Sequence, residues 1–262
     1  MKEITMDEAS QEFSKCWQAA GIHLENQAGG HISSWIKANL EPPFLEHLSF
    51  RLGNQLFFVR VEDADEALVG PGNPEALFMI AEECKGNACV MPMQKKNDEW
   101  HPLLPGWGLL DPNTQQMINP PDLISEEKIE MTDWELHDFA VQVVRQNLEE
   151  QGKKLLTWQS NPSVDPSVWF EGEQGPEWVV VREVRYPKSD AALPDNMVDI
   201  IDHCAKMSAL GHFASVAFIN MDDPIDPQAA TNGNFLPLYR GYGANIRYEG
   251  LKPVTAPGNS NA

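Results

Sequence analysis

The sequence predicts an α/β (α+β) protein built from two tandem α-β-β-α-β repeats, with mixed sheets flanked by helices and pseudo-twofold packing. Three observations carry this prediction. Residues 102–108 read PLLPGWG and residues 237–243 read PLYRGYG, so Pro, Leu and two Gly recur in place, with Trp107 answered by Tyr242. QLFFVRVEDAD from Gln55 sits beside EWVVVREVRYP from Glu177, which aligns Arg60 with Arg182. NACVMPMQ from Asn87 sits beside FASVAFIN from Phe213, which sets Val90 beside Val216. Self-similarity in the same order along both halves is the mark of an internal repeat. The predicted organisation is a first unit over 1–110, a linker over 111–130, a second unit over 131–251 and a disordered tail over 252–262.

Each element has its own local reason. Phe13, Cys16, Trp17 and Ala20 recur at helical spacing within 6–20, and Ile32, Trp35 and Ile36 do so within 31–40, before Pro42 and Pro43 stop the helix. Residues 48–52 and 56–62 read as strands around Gly53-Asn54, a hairpin signal. Asn73-Pro74 reads as an N-cap followed by Pro at the first helical position, with Gly86 closing that helix and a strand over 88–94 after it. The Pro-, Asn- and Gln-rich stretch 111–125 reads as the linker. Thr132 and Glu135 have capping-box spacing ahead of an apolar stripe through Leu136, Phe139, Ala140, Val143, Val144 and Leu148. A strand is expected over 155–159 and a hairpin over 168–171 and 178–186. A helix capped by Asp195 is expected to run to Gly211, with a strand over 214–220.

Composition bounds the function. The chain has 262 residues, 39 acidic against 19 basic, and a formal charge of −20. Such a field repels nucleic acid and anionic lipid and attracts a basic protein. Direct nucleic-acid binding needs a basic stripe, and only the pairs Lys95-Lys96 and Lys153-Lys154 approach one. No apolar run reaches the roughly 20 residues that cross a bilayer, and MKEITMDEAS lacks the apolar core of a signal peptide. Cys16, Cys84, Cys89 and Cys204 are few and irregularly spaced, which fits reduced buried thiols and a cytoplasmic location. Cys84 and Cys89 lack zinc-finger spacing to any His, and His203 and Cys204 are consecutive on a helix and diverge. Asp222, Asp223 and Asp226 follow a strand but lack a calcium-loop pattern, so a solvated turn is expected there.

One constellation suggests chemistry. Asp165 precedes a hairpin, and Glu183-Val184-Arg185 ends an apolar strand. From Asp133 to Asn220 the order of elements resembles the PD-(D/E)XK phosphodiesterase family. The resemblance implies Asp165 and Glu183 as ligands of one divalent metal, Mg²⁺ or Mn²⁺, with Arg185 where the family has a water-positioning Lys. It also implies Glu135 or Asp138 as a further ligand. Carboxylates at that position suit hard ions.

The sequence supports three functions. The leading one is an acidic cytoplasmic partner-binding protein without catalysis or cofactor, of the inhibitor or immunity type, whose partner is a basic toxin or nuclease. The second is a metal-dependent phosphodiesterase using Asp165, Glu183 and Arg185. The third is a small-molecule module in a groove between the repeats, lined by Trp107, Tyr239, Arg240 and Tyr242, since aromatic side chains in dry pockets are frequent anchors.

Overall fold

The computed structural model describes residues 10–29, 48–70, 74–223, 233 and 235–254. The expected helix over 31–40, the Asn73 cap, residues 6–9, Asp226 and residues 255–262 lie outside the described residues. The chain is a mixed α+β protein that divides into two units, Met1–Lys128 and Ile129–Ala262.

In the first unit α1 (Gln11–Gln27) starts at Ser10, whose hydroxyl accepts the Phe13 amide at 3.1 Å. Its apolar face buries Phe13, Cys16, Trp17, Ala20 and Leu24. Strands β1 (Leu48–Leu52) and β2 (Gln55–Asp63) form an antiparallel hairpin with Leu52 opposite Gln55. The turn needs a left-handed residue, and Gly53 supplies it at φ 59°. Helix α2 (Pro74–Glu83) crosses to β3 (Asn87–Lys96), which runs parallel to β2. The left-handed residue after α2 is Lys85 at φ 48°. Gly86 is required for a different reason, because a Cβ there would lie 2.6 Å from the Phe58 ring. Side chains alternate along β2: Phe57, Val59 and Val61 join α1 in one core, while Leu56 and Phe58 are buried on the other face.

The expected linker is not one. Strand β4 (Glu99–Pro102) and strand β5 (Leu109–Leu110) both pair antiparallel with β3, and β6 (Met117–Ile118) pairs with β5. Asp111 builds the turn between β5 and β6 by accepting the Asn113 and Thr114 amides at 2.8 and 3.0 Å. A 3-10 turn follows at Pro120–Leu123, and the Asn54 amide donates to Ser125 Oγ and the Glu127 carbonyl. The Pro and Asn residues of this stretch encode turns within the first unit and not a spacer.

In the second unit α3 (Asp133–Glu150) begins with the expected capping box, complete in both directions between Thr132 and Glu135. Strands β7 (Lys154–Trp158), β8 (Val168–Gly172) and β9 (Gly175–Arg185) form a meander, and α4 (Met197–Cys204) crosses to β10 (Gly211–Asn220), parallel to β9. Strands β11 (Ala244–Tyr248) and β12 (Lys252–Val254) both pair antiparallel with β10. The sheet order is β11-β10-β9-β8-β7, with β12 beside β10. Both faces of this sheet are covered. Val179 and Val181 pack with α3, while Trp178 and Val180 pack with Met197, Ile200 and Cys204 of α4. Odd positions of β9 therefore face α3 and even positions face α4.

Three expectations are corrected here. Asn196, not Asp195, is the N-cap residue of α4, and it makes no side-chain capping bond. The helix stops at Cys204, whose carbonyl accepts the Met207 and Ser208 amides in a closing turn. Residues 252–254 are not tail but strand β12.

Among the described residues no helix is long and apolar enough to cross a membrane. All four cysteines are buried. Burial pushes the Cys16 thiol up to about 12 and the Cys204 thiol up to about 11.

Candidate functional site

Strand β9 ends in charges that its two faces send in opposite directions. Arg182, at an even position, points to the α4 side and grips Asp165 through two bonds of 2.9 and 2.6 Å. Glu183, at an odd position, points to the α3 side, where it accepts a hydrogen bond from His137 Nδ1 at 2.8 Å. His137 is 1% exposed, and its Nε2 is buried with no hydrogen bond among the described residues. The expectation that Asp165 and Glu183 share one ion is thus corrected. Adjacent residues of a strand project to opposite faces, and each carboxylate is bound to its own cation or imidazole. Among the described residues no group of three His, Cys, Asp or Glu is placed to hold a metal.

Arg185 also departs from its expected place. It reaches back toward the start of α3, donating to Glu130 Oε1 at 2.7 Å, Asp133 Oδ1 at 2.9 Å and the Met131 carbonyl at 2.8 Å. Glu135 is no metal ligand either, and Asp138 accepts from the Gln142 amide at 2.6 Å. Glu135 closes the capping box and receives Arg240 Nε and Nη2, each at 2.8 Å. Both members of that pair are buried, Arg240 fully. The backbone joins in: residues 129–131 pair with 238–240 through the Arg240 amide to the Ile129 carbonyl and the Met131 amide to the Leu238 carbonyl.

The four expected binding residues separate accordingly. Arg240 is an internal tie and not a ligand contact. Trp107 is buried in the first unit, its ring stacked on Phe50 with centroids 6.1 Å apart and planes 7° apart. Tyr239 is half-buried and meets Tyr242 edge-on at 5.9 Å, and Tyr242 is exposed. Gly106 and Gly108 take positive φ in the first loop and Gly241 does so in the second, which makes both motifs tight turns. Asp223, expected in a solvated turn, is buried and accepts the Leu236 amide at 2.8 Å.

Next to the Arg185 cluster, at the carboxyl ends of the parallel strands β9 and β10, lies a small pocket of about 50 Å³. Openings at this end of a parallel sheet are frequent ligand sites. Glu130 and Arg185 form its charged side, and Phe218, Phe235, Leu236 and Pro237 its apolar side. Sequence reasoning passed over Glu130, His137, Phe235 and Leu236. The available signal for His137 was its place at the charged start of an amphipathic helix, within the run Glu135 to Asp138, all four of which are buried. Phe235 and Leu236 were readable as two adjacent large apolar residues just ahead of the Pro-Leu-Tyr-Arg turn.

A family model described as Domain of unknown function (DUF8840) matches residues 134–254. The matched stretch runs from the first turn of α3 to the end of β12, so it coincides with the described sheet and helices of the second unit. No curated protein and no solved structure matches the chain.

Proposed function

We propose that the chain is an acidic, non-catalytic partner-binding protein of the cytoplasm, of the inhibitor or immunity type, whose partner is a basic protein such as a toxin or nuclease. The observation that carries this reading is the disposition of charge. The formal charge is −20, and the arginines are largely spent internally: Arg182 on Asp165, Arg185 on Glu130 and Asp133, Arg240 on Glu135, and Arg60 on Glu62. Exposed carboxylates such as Glu149, Glu150, Asp195, Asp199 and Asp202 are left to shape the external field. A field of one sign steers partners of the other. Of the carboxylates best placed by sequence for catalysis, Asp165 is held by Arg182 and Glu183 by the His137 imidazole, which supports binding over turnover.

The same reading takes the two units as copies of one ancestral unit. In each, an antiparallel pair leads through a helix to a parallel strand, and later strands pair antiparallel with that strand. Arg60 stands opposite Val90 and Arg182 opposite Ser215. If the two arginines correspond, Val90 answers Ser215, one residue before the Val216 that the sequence match selects.

Affinity purification from the native lysate in a salt series tests the partner reading. A basic protein that is released as salt rises is the expected result. A partner that is acidic or indifferent to salt, or no partner at all, overturns it.

A further inference from the structure

We propose that the pocket at the carboxyl ends of β9 and β10 receives a lysine or arginine side chain of the basic partner. This inference rests on the proposed function and gives it a contact point. The pocket, at about 50 Å³, is well below the roughly 300–1,000 Å³ of small-molecule sites, so its size suits one side chain and not a cofactor. Its apolar side, formed by Phe218, Phe235, Leu236 and Pro237, matches a methylene stem, which basic residues lay along apolar surface while the charged head stays in water. Phe235 and Leu236 are 42% and 43% exposed, so large apolar groups stand in water beside the recess.

The charge at the rim selects the occupant. Glu130 and Asp133 are 51% and 91% exposed, and both lean on the single guanidinium of Arg185. Two carboxylates, Glu130 in the wall and Asp133 beside it, against one guanidinium leave this side of the pocket net negative next to its apolar side. An anionic side chain would be repelled there, and a purely apolar one would leave the rim without its counter-charge.

The test uses the full chain and a fluorescein-labelled hexalysine peptide, with binding read by anisotropy at low salt. Phe235→Ser and Leu236→Ser alter exposed positions and remove no charge; circular dichroism verifies their fold. Glu173→Gln, in the β8–β9 turn at the opposite end of β9, removes one charge without touching the pocket. The expected result is a loss of affinity of about fivefold or more for each Ser variant, as for an interface anchor, and of less than about twofold for Glu173→Gln, as for a screened surface charge. Wild-type affinity in both Ser variants, or no binding of hexalysine, overturns the pocket assignment and leaves the partner reading to the salt-series purification. Binding at the pocket with no basic partner in the lysate sinks the wider reading alone.

Discussion

Arg240 shows how one residue can be conspicuous in sequence for a reason other than recognition. It breaks the likeness between the two Pro-Leu-x-x-Gly-aromatic-Gly loops, which invites a functional reading. Its guanidinium is instead fully buried against Glu135. Truncating one member of a buried ion pair strands the other charge, at a cost of about 3–5 kcal/mol. Arg240→Ala should therefore lower the unfolding free energy of the second unit by that amount in a urea titration, and a loss under about 1 kcal/mol would contradict the buried-pair account. Glu12 offers a second measurement at this scale. Lys95 first, and then the Trp100 indole, hold its carboxyl down at about 2 against an ordinary 4.5. A carboxyl with a depressed folded value contributes stability that is present above the ordinary value and is lost as pH falls from 4.5 toward 2. A carbon-detected NMR titration should place the Glu12 midpoint near 2, and Lys95→Ala should move it upward. No movement would remove Lys95 as the main cause.

Elements were legible where periodicity and end signals agreed. The capping box at Thr132 and Glu135, the hairpin at Gly53 and the meander around 173–174 could all be placed from local chemistry, since each needs particular residues within a few positions. Thr132→Ala should cost about 1 kcal/mol, the usual worth of such a cap, measured by thermal or chemical melting. A neutral result would mean that Glu135 holds the helix start through Arg240 alone. The short strands β4, β5, β6, β11 and β12 were not legible, because pieces of two to five residues carry too little pattern and depend on β3, β5 or β10 for their pairing. The candidate site was half legible. Asp165 and Arg185 do carry ion pairs and Glu183 a hydrogen bond, but their partners, Arg182, Glu130 and His137, come from elsewhere in the sequence. The face that each side chain takes depends on strand phase, which the sequence match misplaced by one residue in the parallel strand if Arg60 and Arg182 correspond.

At the scale of the whole molecule, each unit has its own buried cluster, one around Trp17, Phe50 and Trp107 and two on the faces of the second sheet. Residues 129–262 expressed alone should fold, giving dispersed amide resonances and a single cooperative melt; a disordered spectrum would show that the second unit depends on the first. Charge alternation along β9 has a further consequence. A slip of one position would turn Glu183 toward Asp165, setting carboxylate against carboxylate where Arg182 now sits, and would carry Arg182 away from its partner. The strand thus carries a parity check. In a library of single-codon deletions, those within 178–185 should vanish under selection for folded protein, while deletions in the β8–β9 turn should persist.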